Sequence, residues 1–224
     1  MAMFKRGLSL SRCPTHNLYE ATTFVMWTIV AVYLLVGLWG RVRFLGTFAS
    51  PVLFGIGVFA LMPALDQHHG PTPDLSMPAA SLHAALVLLS YGAFGLAAVA
   101  GAMYLTQEHN LRFNKLRAVL SLLPPIQRLE LAMAAMLIAG FALLTAGLVV
   151  SSRIQRPEGV NYLTDPKVGW SVLVWCLYLA LVVLRWRFSQ RGRRIAVGLI
   201  GAFAFVLLTF WGTALLSPLH NPAP

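Results

Sequence analysis

A chain of 224 residues that is 58% hydrophobic and only 11% charged, with a mean hydropathy of +0.73, lies outside the balance of soluble domains. It reads as all-α, a polytopic helical membrane protein with about six transmembrane helices. Backbone groups in a bilayer must be paired within each span, and the short alternating segments of a membrane barrel are missing. The formal net charge of +10 does not call for nucleic acid, because the basic residues cluster in short loops between apolar runs, where they set topology.

Residues 1–20 form a short basic segment without the apolar core of a secretory signal. Residues 21–217 form the membrane domain, and 218–224 are a short tail. Spans are predicted at about 21–40, 44–65, 81–106, 129–150, 168–186 and 195–216. Pro51 falls near the first turns of the second span, and residues 66–80 are a Pro-rich connection. His83 opens the third span, in which Gly92, Gly95, Ala98 and Gly101 recur at helical spacing. Small residues on one face let another helix come close. A basic stretch follows, and Pro124-Pro125 stands ahead of the fourth span. Residues 151–170 (SSRIQRPEGVNYLTDPKVGW) are the longest polar interval of the second half. They carry Tyr162, Asp165, Pro166, Lys167 and Trp170, and in so apolar a chain this is where recognition or chemistry is expected. Residues 185–194 (RWRFSQRGRR) hold five arginines.

Counting Lys and Arg by side gives eleven in the loops at 41–43, 107–128 and 185–194, and six in the N-terminus and the loops at 66–80 and 151–167. The larger count belongs to the cytoplasmic side. The polar interval, His83 and His220 then face outward. Lys5, Arg6 and Arg12 run locally against the rule for the first span.

The sequence has no GxSxG, HExxH, P-loop or dinucleotide fingerprint, and carboxylates are nearly missing from the spans, which argues against a proton-coupled transporter. Cys13 and Cys176 make no CxxC, and Cys176 reads as a small packing residue in an apolar run. His83 and His220 both fall at the outer boundary, beside the Asp165 interval. Two neutral imidazoles approaching a planar cofactor from opposite faces are one way to hold haem iron. A histidine at a helix end is also an ordinary interfacial group, and spacing alone leaves both readings open. His68-His69, in a Pro-rich loop, and His109, among basic residues, read as solvated groups.

Several stretches, in order from about residue 16 to 220, resemble the cytochrome c assembly family, the CcsA/ResC/HemX-like group. They are Asn17-Leu18-Tyr19-Glu20, Ser90-Tyr91-Gly92-Ala93-Phe94, Tyr104-Leu105-Thr106-Gln107-Glu108, Leu123-Pro124-Pro125 and Gly140-Phe141-Ala142-Leu143-Leu144-Thr145. Asp165-Pro166-Lys167 with Trp170 and Trp175, Gly192-Arg193-Arg194, Thr209-Phe210-Trp211-Gly212 and Leu219-His220 complete the set. The resemblance implies that His83 and His220 ligate haem iron. It also implies that Tyr162 to Trp170 form a loop presenting haem b, as bound or transferred cargo, to the CxxCH site of apocytochrome c. Asp165 would orient an imidazole or fix the loop, and Lys167 would pair with a propionate. The implied setting is the bacterial inner (cytoplasmic) membrane, with the Asp165 loop on the periplasmic or outer side, a ResB-type membrane partner and membership of a cytochrome c haem lyase (synthase) complex.

This chain departs from the family pattern at several places. Tyr162 and Thr164 stand where the family's loop carries tryptophans, Val168-Gly169 replace an acidic-Thr pair, and Val183 stands where relatives have a histidine inside the fifth span. Relatives also carry one or two helices ahead of the Asn17 segment. The worn loop fits a second reading, a HemX-like regulatory or scaffold membrane protein that catalyses nothing. A b-type cytochrome is a third, with only the two rim histidines to hold its haem.

Overall fold

The computed structural model describes residues 18–37, 45–60, 78–113, 124–154, 165–188 and 192–215. Among these residues there are six helices and no strand. They are α1 (Leu18–Gly37), α2 (Leu45–Ala60), α3 (Pro78–Phe113), α4 (Ile126–Ser151), α5 (Pro166–Trp186) and α6 (Arg193–Leu215). The stretches Ala79–Leu111, Ile126–Ser151 and Pro166–Trp186 are long and apolar enough to cross a membrane, and shorter apolar stretches run over Thr22–Leu34 and Ala49–Val58. The protein is an all-α membrane protein, as its composition requires.

The helices follow the predicted spans with three informative differences. α3 runs well past Thr106, because Gln107-Glu108-His109-Asn110 are polar without being helix breakers. At 1.5 Å per residue its 36 residues extend about 54 Å, well beyond the ~30 Å hydrocarbon layer. The polar interval at 151–170 is shorter as a loop than it reads. Ser151 closes α4, and Pro166 to Trp170 already form the first turns of α5. Cys176, expected to pack inside, faces out of the bundle.

α3 is the helix around which the others assemble. It packs against α4, α6, α1 and α2, and every residue from Tyr91 to Gly101 is buried. Its apolar stretch is 72% buried, against 33% for α4 and 28% for α5. Apolar burial cannot drive helices together in lipid, where the tails are as apolar as the side chains, so close packing must do so. This happens at the small residues of α3, which turn to different neighbours rather than forming one face. A Cβ added at Gly92 would lie 2.9 Å from the carbonyl carbon of Thr28 in α1. One added at Gly101 would lie 3.1 Å from the carbonyl oxygen of Ala196 in α6. Backbones of two neighbours thus rest directly on α3. The turn into α6 depends on Gly192, whose φ of +65° belongs to the left-handed region that favours glycine. The Tyr104 hydroxyl fills the space where its Cβ would stand.

Replacing Gly92 by Leu is expected to destabilise the bundle by about 1–3 kcal/mol, through overpacking against backbone that cannot rotate aside. Gly55→Leu, at a position with nothing within 4 Å, is expected to stay within about 0.5 kcal/mol of the parent. Unfolding in mixed micelles by SDS titration, followed by circular dichroism, measures both.

Candidate functional site

One end of the bundle gathers most of the described residues that the sequence singles out: the start of α3 with His83, the end of α4 and the start of α5 with Asp165. His83 sits in the second turn of α3, part-buried, and its Nδ1 lies 2.8 Å from the carbonyl oxygen of Gly147 in α4. The two positions are 64 residues apart. α3 and α4 meet closely enough for this because Gly147 has no side chain. A Cβ there would lie 2.8 Å from Cγ2 of Val87.

Asp165-Pro166-Lys167 is a helix start. Asp165 is the N-cap of α5, and its carboxylate accepts from the backbone N–H groups of Lys167 (2.8 Å) and Val168 (3.2 Å). Pro166 occupies the first helical position, where the missing N–H costs nothing and φ is already helical. The cap is interior: Asp165 is only 3% exposed. Lys167, 8% exposed, lays its ammonium 4.8 Å from the centroid of the Trp170 ring, a cation–π contact.

Two tryptophans of α5, Trp170 and Trp175, are committed to neighbouring helices. Trp170 donates its indole N–H to the Thr209 hydroxyl of α6 at 2.7 Å, and that hydroxyl donates to the Phe205 carbonyl. The edge of the Trp170 ring meets Tyr91 of α3, with centroids 6.4 Å apart and planes at 74°. One turn and a half further along, Trp175 donates to the Thr145 hydroxyl of α4 at 3.0 Å, and Thr145 donates to the Phe141 carbonyl. Deeper still, Phe94 and Tyr178 stack at 3.5 Å with planes 5° apart, and Gly140 lies directly against the Phe94 ring. Thr145 and Thr209 were visible in the sequence only as parts of larger matched stretches. A hydroxyl within an apolar span, set against a tryptophan on another span, is the signal that identifies such pairs.

The register of α3 on α5 fixes the relative depth of these groups. Both helices run in the same direction, with Tyr91 facing Trp170 and Phe94 facing Tyr178. Asp165 precedes Trp170 by five residues and Tyr178 by thirteen. The same steps taken back from Tyr91 and Phe94 reach Leu86 and Ser81, which bracket His83. The cap of α5 and His83 therefore lie toward the same end of the bundle. Lys167 and Trp170 follow the cap in the first turns of α5. Tyr162 and His220, and likewise His16, His68, His69 and the stretch at 155–164, fall outside the described residues. Val183 is exposed on the outside of α5.

Among the described residues no group of three or more His, Cys, Asp or Glu side chains could cage a bare metal ion. A cavity of about 30 Å³ between α1, α2, α3 and α6 is lined by Thr22, Val25, Ile56, Tyr91 and residues of α6. It is of the size of a water molecule, far below what a cofactor fills.

Comparison with known proteins gives a consistent result. A family model described as cytochrome C assembly protein matches residues 15–220. The chain is similar to the cytochrome c biogenesis protein CcsA of Microcystis aeruginosa, 27% identical over an alignment that covers 96% of this chain and 81% of the relative. It is likewise similar to the CcsA proteins of Thermosynechococcus vestitus, at 27% over 93% of this chain and 78% of the relative, and of Mesostigma viride, at 24% over 93% and 76%. No solved structure matches the chain.

Two substitutions test the roles assigned to Asp165 and Trp170. Asp165→Ala removes both capping bonds and is expected to cost about 1 kcal/mol, with Asp165→Asn recovering most of it. A double-mutant cycle of Trp170→Phe and Thr209→Val is expected to give a coupling of about 0.6–1.7 kcal/mol, the span of interhelical hydrogen bonds in membranes. Reversible SDS unfolding of the four proteins reads the coupling directly.

Proposed function

The chain belongs to the cytochrome c assembly protein family, and from that membership we propose that it serves cytochrome c biogenesis by binding haem at the end of the bundle that carries His83 and presenting it for attachment to apocytochrome c. The observation that carries this reading is the His83 imidazole. It is part-buried and anchored at Nδ1 by the Gly147 carbonyl, toward the end of the bundle at which α5 begins. A bare ion would need a cage of several donors. A metalloporphyrin brings four equatorial nitrogens of its own and needs only axial ones from the protein. A lone, anchored histidine suits that need.

In this reading His83 supplies one axial nitrogen and His220 the other. Haem b is cargo, held at the rim. Asp165 fixes the start of α5, Tyr162 belongs to the presenting loop, and Lys167 and Trp170 hold the base of that loop. The thioether bonds form between the cysteine thiols of the apocytochrome and the haem vinyl groups. This chain's part is binding and orientation, within a haem lyase complex that includes a ResB-type partner. The site faces the outer side of a bacterial inner membrane, on the strength of the basic-residue count.

A second reading, a HemX-like scaffold without catalytic chemistry, has an observation of its own. Lys167 covers the face of Trp170, and the indole N–H is committed to Thr209, so neither group is offered to a porphyrin.

The absorption spectrum of the protein purified after expression with haem supplied separates the two. Haem handling predicts a Soret band that is lost or strongly reduced in both His83→Ala and His220→Ala. A parent protein without any Soret band would sink haem handling and leave the scaffold.

A further inference from the structure

A neutral imidazole has one N–H and one lone pair, and the free side chain in water favours carrying its proton on Nε2. The contact between His83 Nδ1 and the Gly147 carbonyl, at 2.8 Å, does not allow that form. A carbonyl oxygen only accepts, so the proton of the hydrogen bond sits on Nδ1. We propose that the Gly147 carbonyl fixes His83 as the Nδ1–H tautomer and thereby makes Nε2 the nitrogen offered to haem iron, an assignment that rests on the haem-binding reading above.

The device is built from backbone. Gly147 lies in the last turns of α4, which forms with α3 the most extensively packed helix pair. Its position against Val87 leaves no room for a Cβ: that atom would meet Val87 Cγ2 at 2.8 Å and the Val87 backbone nitrogen at 3.4 Å. Val87 stands one turn beyond His83 on α3. The same absent side chain that lets the helices touch therefore brings the carbonyl within reach of the imidazole. Nε2 lies across the ring from Nδ1, so its lone pair points away from α4. An N–H donated to a backbone carbonyl also fixes the plane of the ring and makes the opposite nitrogen a stronger donor, the usual arrangement behind a ligating histidine. Gly147 is thus a positioning residue, acting through His83.

The test uses the full chain in detergent, labelled with ¹⁵N-histidine and free of haem. Long-range ¹H–¹⁵N spectra at about pH 8.5, where a histidine is neutral, report which nitrogen carries the proton; His83→Gln identifies the His83 signals by their loss. The expected result is a protonated Nδ1 and an unprotonated Nε2 in the parent, averaged or reversed in Gly147→Ala, and restored in Gly147→Ala/Val87→Ala, where the added methyl has room. Ferric haem binding should weaken about tenfold or more in Gly147→Ala and recover in the double variant. A proton on Nε2 in the parent overturns the proposal. So does an unchanged His83 spectrum in a Gly147→Ala protein whose helical content matches the parent. If the parent shows the expected tautomer but binds no haem, the haem reading fails while the role of the Gly147 carbonyl stands.

Discussion

The close approach of α1, α4 and α6 to α3 is the constraint on which the rest of the structure depends. In a bilayer no hydrophobic gain rewards one apolar helix for leaving lipid to join another, so association must come from dense packing and from hydrogen bonds between helices. Gly92 and Gly101 bring the backbones of α1 and α6 onto α3. Gly140 and Gly147 bring α4 onto it from the other side. Each absent side chain sets a distance, and those distances decide what the ends of the bundle can do. Phe94 fits under Gly140 and so lies flat on Tyr178. The Gly147 carbonyl reaches the His83 ring for the same reason.

α5 is joined to this frame by different means. It meets α3 through aromatic rings and meets α4 and α6 through Trp175–Thr145 and Trp170–Thr209. Its start is pinned by the carboxylate of Asp165, buried and spent on two backbone N–H groups. Asp-Pro-Lys thus has a complete structural role before any ligand is considered. The same motif is, in the haem-handling reading, the base from which the presenting loop springs. These accounts do not compete. A loop that must hold cargo at one level needs a helix that begins at one place, and a buried N-cap supplies that.

Much of this was legible in the sequence, for identifiable reasons. Apolar runs of span length fix the class, and the small residues of α3 announce close neighbours. Asp165 followed by Pro166 carries the ordinary signals of a helix start, although the reading of 151–170 as one polar interval hid them and left Lys167 and Trp170 in the loop. Hydropathy stopped α3 near Thr106 because it measures preference for lipid, whereas polar residues that are not helix breakers can continue a helix. The partner of His83 was out of reach altogether. A backbone carbonyl has no letter in the sequence, and this one lies 64 positions away. The aim of Trp170 was hidden too, since it depends on the rotation of α5 about its own axis, which the neighbouring helices set.

The two Trp–Thr contacts share one further property. Thr145 and Thr209 each pass their own proton to the carbonyl four residues back and receive the indole proton from across the interface. Each hydroxyl is used in both directions, and neither half is idle. Losing only the tryptophan leaves an acceptor in lipid with nothing to accept, and losing only the threonine strands an indole N–H. Losing both partners together therefore costs less than the sum of the two single losses. Lineages that drift at these positions should therefore change tryptophan and threonine as a couple, 170 with 209 and 175 with 145, and such coupled drift would mark where α5 is keyed to its two neighbours.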